Sequence, residues 1–305
     1  MSNLLENSAV ALGFFDGVHL GHQAVIEKML KMSKILNIPS CVVTFETHPI
    51  QLLRGGMYPK IMSSKDRLKA FEKMGVENVL LLDFDKALLA TSAFNYLEIL
   101  KKSISPKIIS VGFNHHFGSD KKGDKDFLLE HEKIFGYKSY ISSPIKIEND
   151  IVSSTLIKKL LQKGEIEGAN TLLGHVFSYS GTVIKGRKFG REIGFKTANI
   201  GPSLELIQIP NGVYMTKTLI DNKPHNSITN IGNAPTLKNN EKTIETHIFN
   251  FDKNIYNKEI EVFFIKKIRD EMKFESKYSL ISQIEEDCNF IKKEFQQERK
   301  DNYGQ

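Results

Sequence analysis

The stretch Ala9-Val10-Ala11-Leu12-Gly13-Phe14-Phe15-Asp16-Gly17-Val18-His19-Leu20-Gly21-His22 decides how the first half of the chain reads. Its apolar opening predicts a buried strand over 9–14, and its glycine-punctuated middle predicts a loop. Beyond it, Val25, Met29, Met32 and Leu36 step by 4, 3 and 4, which is one apolar stripe of a helix. Strand, glycine turn and helix start together form a cradle for phosphate, because the backbone can approach closely and the free N–H groups of the helix face the anion. His19 and His22 stand where imidazoles could neutralise charge on a reacting phosphorus. Two blander readings use the same residues: His22 capping the helix with His19 in the loop, or the pair holding a metal, for which no third ligand lies nearby.

Outward from this stretch, strand candidates at 40–45, 79–84, 107–112 and 139–142 alternate with helix candidates at 64–74, 92–102 and 126–134. Ser153-Ser154-Thr155 are hydroxyl residues that open a further helix, interrupted at Gly164. Alternation of this kind is the signature of βαβ units on a parallel, Rossmann-like sheet. After Gly174 the pattern changes to strands at 179–184, 213–220, 244–251 and 260–265 with Gly, Asn and Pro between them, which predicts an antiparallel barrel or sandwich. A closing helix carries Leu280, Ile284, Cys288, Ile291 and Phe295, and its polar tail from Gln296 is expected to fray. The 305 residues thus divide into domains 1–175 and 176–305.

Composition narrows the partners. The net charge of +6 suits polyanions such as nucleotides, and 40% hydrophobic residues describe a globular chain. No apolar run approaches the roughly 20 residues that cross a bilayer, and the N-terminus has no basic segment of a signal peptide. Two cysteines, Cys41 and Cys288, argue against a disulfide framework and a cysteine zinc site, so a cytoplasmic location is expected. The adjacent His115 and His116 project to opposite faces of an extended segment, which argues against a shared metal. Residues 119–126 (SDKKGDKD) read as a mobile solvated tip. Dispersed Lys and Arg and the absence of Trp argue against a nucleic-acid binder.

The GFFDGVHLGH stretch resembles the H-x-G-H nucleotidyltransferases, and its full form is similar to that of the prokaryotic bifunctional riboflavin kinase/FMN adenylyltransferase family. Further motifs follow in family order. Thr44-Phe45-Glu46-Thr47-His48-Pro49 resembles T-F-x-P-H-P, with Thr47 where proline is usual. Val111 to Gly118 (VGFNHHFG) resembles V-G-x-[ND]-F-x-F-G, with His115 for the aromatic. Val152 to Lys158 (VSSTLIK) resembles [IV]-S-S-T-x-I-R, with Lys158 for arginine, and Ile151 stands at an often basic position. Lysine is a point charge where arginine presents a planar fork. The resemblance implies that Phe15, Asp16, Gly17, Gly21, Asn114, Ser154, Thr155 and Lys158 bind ATP for adenylyl transfer, with His19 and His22 catalytic.

In the second half, Gly186-Arg187-Lys188-Phe189-Gly190-Arg191-Glu192-Ile193-Gly194 is a basic, glycine-rich segment that reads equally as a phosphate cradle or an ordinary turn. It runs into Lys196-Thr197-Ala198-Asn199, which resembles the riboflavin kinase P-T-A-N motif with Lys196 for proline. Thr197 and Asn199 face one side of a strand and are hard oxygen ligands of the kind Mg²⁺ takes. Pro210 to Tyr214 (PNGVY), Asn230 to Thr236 (NIGNAPT, with Ala234 lacking the family's polar side chain), Glu245 to Phe251 (ETHIFNF) and Ile268 to Phe274 (IRDEMKF) resemble the remaining kinase signatures. By resemblance Gly186, Gly190, Arg191 and Gly194 bind ATP, Arg269 and Phe274 bind flavin, Thr197 and Asn199 hold Mg²⁺, and Glu245 is the general base. Alternation with Ile244 and Thr246 turns Glu245 away from the apolar face.

Two ATP-dependent steps are therefore expected, riboflavin to FMN in the second domain and FMN to FAD in the first, with riboflavin, FMN and ATP as the small-molecule partners. No nucleic acid and no membrane are expected as partners, and a homo-oligomer stays open. The alternative is a riboflavin kinase whose N-terminal module is inactive or weakened, motivated by Lys158, Ile151 and Thr47.

Overall fold

The computed structural model describes residues 5–48, 51, 55–83, 85–119, 122–186, 190, 193–201, 203–233 and 242–303. It divides into two compact units, Met1–Leu156 and Ile157–Gln305.

In the first unit five strands form one parallel sheet: β1 (Ser8–Leu12), β2 (Ser40–Phe45), β3 (Asn78–Leu82), β4 (Pro106–Gly112) and β5 (Lys138–Ser142), in the order β3-β2-β1-β4-β5. Every residue of β1 is buried, because it pairs with β2 on one edge and β4 on the other and both faces are covered. Val10 and Leu12 point into a core shared with Tyr96, Leu97 and Leu100, while Ala9 and Ala11 point into one shared with Val25, Ile26, Met29 and Phe71. The corresponding helices are α1 (Leu20–Leu36), α2 (Ser64–Lys73) and α3 (Ala93–Ile104). The expected helix at 126–134 is two short ones, Lys125–Glu130 and Glu132–Phe135, broken at His131, whose Nδ1 lies 2.8 Å from Phe127 O. The 119–126 segment is tied at its ends, with Ser119 N donating to Thr91 O and Phe117 N to Gly123 O, both at 2.8 Å; residues 120–121 lie outside the described residues.

Helix α4 (Ser154–Lys163) begins in the first unit, and α5 (Ile166–Leu173) belongs wholly to the second. The compact units therefore divide earlier than the expected seam near Gly174. Asn170 on α5 explains this: its Nδ2 donates to Phe264 O and its Oδ1 accepts from Phe177 N, fastening the helix to the barrel.

The second unit is a six-stranded antiparallel sheet of β8 (Ser178–Thr182), β9 (Ala198–Ile200), β10 (Gly212–Ile220), β11 (Lys223–Asn233), β12 (Lys242–Ile248) and β13 (Glu259–Arg269). Residues 146–147 and 150–151 form a separate small hairpin, β6 and β7, in the first unit. The order β8-β13-β10-β11-β12-β9 brings β8 back to β9, where a Cβ on Gly181 would lie 3.2 Å from Ile200. The barrel is thus nearly closed. Two faces alternate along its strands. Inward, Thr218, Ser227, Thr216, Thr229 and Thr246 are fully buried and form one chain of hydroxyl contacts at 2.8 to 2.9 Å. Outward, Val213, Met215 and Ile228 pack against Cys288, Ile291 and Phe295 of the closing helix α6 (Lys277–Tyr303). This helix continues through Tyr303 instead of fraying from Gln296. Strand β11 was absent from the sequence expectation, and the 244–251 strand ends at Ile248.

Candidate active sites

The first cavity, about 620 Å³, opens at the C-terminal ends of β1, β4 and β5. Strand order reverses between β1 and β4, and such a switch point is where an open α/β sheet leaves a crevice for ligands. Phe15, Asp16, His19, Gly21, His22, Asn114, Ser154 and Thr155 all line it, joined by His48, Tyr58 and His115. Gly17 stands behind the lining at φ 77°, against Ile61. Lys158 lies one turn beyond Ser154 on α4 with its ammonium enclosed.

The loop owes its shape to internal ties. Phe15 sits in the left-handed region at φ 57°, which a bulky residue holds only when its surroundings enforce it. Asp16, 3% exposed, accepts from the N–H of Ile61 at 2.8 Å through Oδ1. Its carbonyl accepts from Ser154 Oγ at 3.1 Å, while Ser153 Oγ caps α4 by accepting from Leu156 N at 3.3 Å. The capping residue of α1 is His19, not His22: Nδ1 of His19 accepts from His22 N at 3.3 Å. The two rings stack at 3.5 Å with 17° between their planes. Burial pushes the His22 pKa well below the usual histidine range, with the charges of His19 and Arg67 acting in the same direction. His22 is therefore neutral at pH 7, with an enclosed Nδ1 that has no hydrogen-bond partner among the described residues. His115 is likewise pushed down, to about 4, by burial and then by His116.

The second unit holds two adjoining cavities. One, about 280 Å³, is lined by Gly190, Thr197, Asn230, Glu245, Arg269, Phe274 and Asp287 among others. The other, about 300 Å³, is lined by Lys196, Thr197, Phe251, Asp252 and Tyr256 among others, so Thr197 faces both. Strand register builds the first of them. Arg269 pairs with Val213, Val213 with Asn230, Asn230 with Glu245 and Glu245 with Asn199, which sets five residues of five strands in one row. Directly opposed residues of an antiparallel pair share a face, so this row lies on the outer side of the barrel, under α6.

Asn199 Nδ2 donates to Thr197 Oγ1 at 3.3 Å, leaving Oδ1 as the free acceptor among the described residues. Gly186 makes this corner possible, since a Cβ there would stand 2.6 Å from Asn199 Nδ2. Gly194, at φ 89°, stands apart from the cavity linings, and Arg187, Lys188 and Arg191 lie outside the described residues, as does the 234–236 end of the NIGNAPT segment. Arg269 is engaged: Nε and Nη2 donate to Asp287 Oδ2 at 3.0 and 2.8 Å, clamping β13 to α6. Its guanidinium stands 6.0 Å from the Phe274 ring. His247, next to Glu245 but one, is pushed down by burial and Lys292 and held up by the Lys196 carbonyl 2.8 Å from its Nδ1.

Sequence reasoning missed two of these residues. Asn230, quoted there in the NIGNAPT signature without a role, joins the row through register. Asp287, 5% exposed, sits beside Cys288 on the apolar stripe of α6, which was the available signal. Arg67, 1% exposed, shares the inner face of α2 with Phe71, four residues on.

The FAD synthetase family profile matches residues 1–156 and the riboflavin kinase profile residues 173–295. The chain is 37% identical over 301 residues to the bifunctional riboflavin kinase/FMN adenylyltransferase of Buchnera aphidicola subsp. Schizaphis graminum, covering 97% of this chain and 96% of the relative. It is 32% identical over 286 residues to the protein of the same name from Escherichia coli K12, covering 92% and 91%. A crystal structure from Streptococcus pneumoniae described as a macrolide-efflux protein superposes with a TM-score of 0.85 at 29% identity, covering 94% of each chain. Among the described residues of this chain no helix is long and apolar enough to cross a membrane.

Proposed function

The chain belongs to the bifunctional riboflavin kinase/FMN adenylyltransferase family, and from that premise we propose how its cavities divide the two ATP-dependent steps. It phosphorylates riboflavin to FMN and adenylylates FMN to FAD with release of pyrophosphate.

For the kinase step, the supporting observation is the row from Arg269 to Asn199 across five strands. Riboflavin would occupy the cavity of Glu245, Arg269 and Phe274, and ATP the adjoining one, so that the γ-phosphate meets the flavin 5′-hydroxyl beside Thr197. Glu245 accepts the hydroxyl proton as that oxygen bonds to the γ-phosphorus and the bond to the ADP oxygen breaks. Gly186, Gly190, Arg191 and Gly194 are assigned to the ATP phosphates. Thr197 and Asn199 offer two neutral oxygens, and the described residues contain no group of three His, Cys, Asp or Glu that would hold a metal unaided. Such a pair fits Mg²⁺ that arrives on ATP, with Thr197 Oγ1 and Asn199 Oδ1 as its protein ligands. When bound, the ion neutralises phosphate charge in the transition state.

For the transferase step, an FMN phosphate oxygen attacks the α-phosphorus of ATP and pyrophosphate leaves, with no covalent enzyme intermediate. Neutral His22 and its stacked partner His19 give directed hydrogen bonds to the phosphates, and the α4 N-terminus at Ser154 and Thr155 adds backbone N–H groups. Phe15, Asp16, Gly17, Gly21 and Asn114 shape the nucleotide pocket, and Lys158 supplies positive charge. We assign residues 1–175 to this step and 176–305 to the kinase, in the cytoplasm.

The test is to supply the purified chain with ATP and Mg²⁺, and with either riboflavin or FMN, and to separate the flavins by chromatography. Both FMN and FAD are expected. FMN without FAD would instead mean that Lys158, Ile151 and Thr47 have cost the first unit its activity.

A further inference from the structure

Arg67 is a charged residue in a helix, Ser64–Lys73, whose sequence SKDRLKAFEK reads as solvated, yet it is 1% exposed. Its guanidinium lies 4.5 Å from the Phe14 ring centroid. Nη1 donates to Phe14 O at 2.6 Å and Nη2 to Phe45 O at 2.5 Å, while Nε is enclosed without a hydrogen-bond partner among the described residues. These carbonyls sit just past the end of β1 and at the end of β2, where the chain turns into the segments that line the first cavity. Phe14 O also accepts from Thr44 Oγ1 at 3.0 Å, so both of its lone-pair directions are used. The plane of the Phe14–Phe15 peptide is thereby fixed at the step before Phe15 enters the left-handed region. Asp16 is held in turn by the N–H groups of Ile61 and Met62, just before α2. Asp16 and Glu46 favour its charge, but burial outweighs both; an apolar residue would be the less costly filling for such a site, so the buried cation argues for geometry over stability.

We propose that Arg67 is a positioning residue for adenylyl transfer, fixing the strained Phe14–Val18 turn and with it the height at which His19 and His22 meet the ATP phosphates. It touches no substrate and acts through the Phe14 carbonyl. The charge has a second consequence. Two groups press on His22, His19 stacked from the cap of α1 and Arg67 from α2, and both, after burial, disfavour its protonation. Removing the Arg67 charge raises the pH below which His22 becomes protonated.

This inference rests on the transferase reading of the first cavity. Full-length Arg67→Gln and Arg67→Lys are compared with the unaltered chain for FAD formation from FMN against pH, for FMN formation from riboflavin, and for thermal unfolding. Arg67→Gln is expected to lower the FAD-forming kcat about tenfold or more, as misplacement by a fraction of an ångström does. It should also move the acid limb of that activity to higher pH, with FMN formation unchanged. Arg67→Lys is expected to keep the acid limb in place and to restore part of the rate. Unaltered rates and limbs in both variants overturn the inference, and so does a loss that merely follows the unfolded fraction on heating. If the unaltered chain itself makes no FAD, the transferase reading fails instead.

Discussion

On the proposed division, the two units handle the same nucleotide with opposite architectures. In the first, the assigned groups are neighbours in sequence, Phe15 to His22, and the fold bends one loop into an unfavourable backbone shape to present them to the cavity. In the second, Arg269, Asn230, Glu245 and Asn199 are scattered over 71 positions of numbering, and regular pairing aligns them without strained backbone among them. Compact motifs therefore depend on buried ties beneath the loop, such as Arg67 and Asp16. Dispersed sites depend on register and on whatever presses a helix over the row, here the Arg269–Asp287 clamp.

The separation of the two regions is tested hardest at Glu245. Glu245→Gln is expected to lower FMN formation by about 10²–10⁴-fold, the usual worth of a general base, while FAD formation from supplied FMN persists. A folded variant that loses both activities would break the comparison. Its mirror image is His22→Ala, expected to lower FAD formation by about 10²–10³-fold, as loss of a donor to a developing charge does, with riboflavin phosphorylation intact. Product chromatography reads both.

The clamp comes next. Asp287→Ala leaves the Arg269 guanidinium, whose side chain is 18% exposed, without its counterion. The second unit should lose about 3 kcal/mol in urea unfolding, with a raised riboflavin KM as α6 loosens over the row. The smallest effect belongs to His115. Its folded pKa of about 4 lies below the ordinary 6.5, so protons bind the unfolded chain more readily, and the stability of the neutral form is lost as pH falls from 6.5 towards 4. His115→Phe removes that liability and should narrow the difference in stability between pH 7 and pH 5 by about 1 kcal/mol, after discounting for its partial exposure. Calorimetric unfolding at the two pH values would measure it.

These contrasts also explain what the sequence made legible. Strand 40–45 was read to the residue because its apolar run is continuous, as a central parallel strand requires. The turn between β1 and α1 was legible because its glycines and histidines are contiguous. Strand β11 escaped because its inward positions Ser227 and Thr229 are hydroxyls, satisfied by Thr216, Thr218 and Thr246, so no apolar alternation marks it. Arg67 escaped because Lys65, Asp66 and Lys69 surround it in sequence, and only the tertiary fold separates the one buried charge from its solvated neighbours. Asn230 stood in a quoted signature, but its position beside Glu245 was not legible, since it is a property of pairing between distant segments.

The hydroxyl chain inside the barrel has a consequence in counting. Thr218, Ser227, Thr216, Thr229 and Thr246 contribute five hydrogens to four contacts, in each of which either oxygen can be the donor. One hydrogen is therefore always surplus, and its five allowed positions are five polarisations of the same row, interconverted by rotation about C–O bonds alone. The interior of this barrel is a reorientable line of dipoles in a frame of fixed strands.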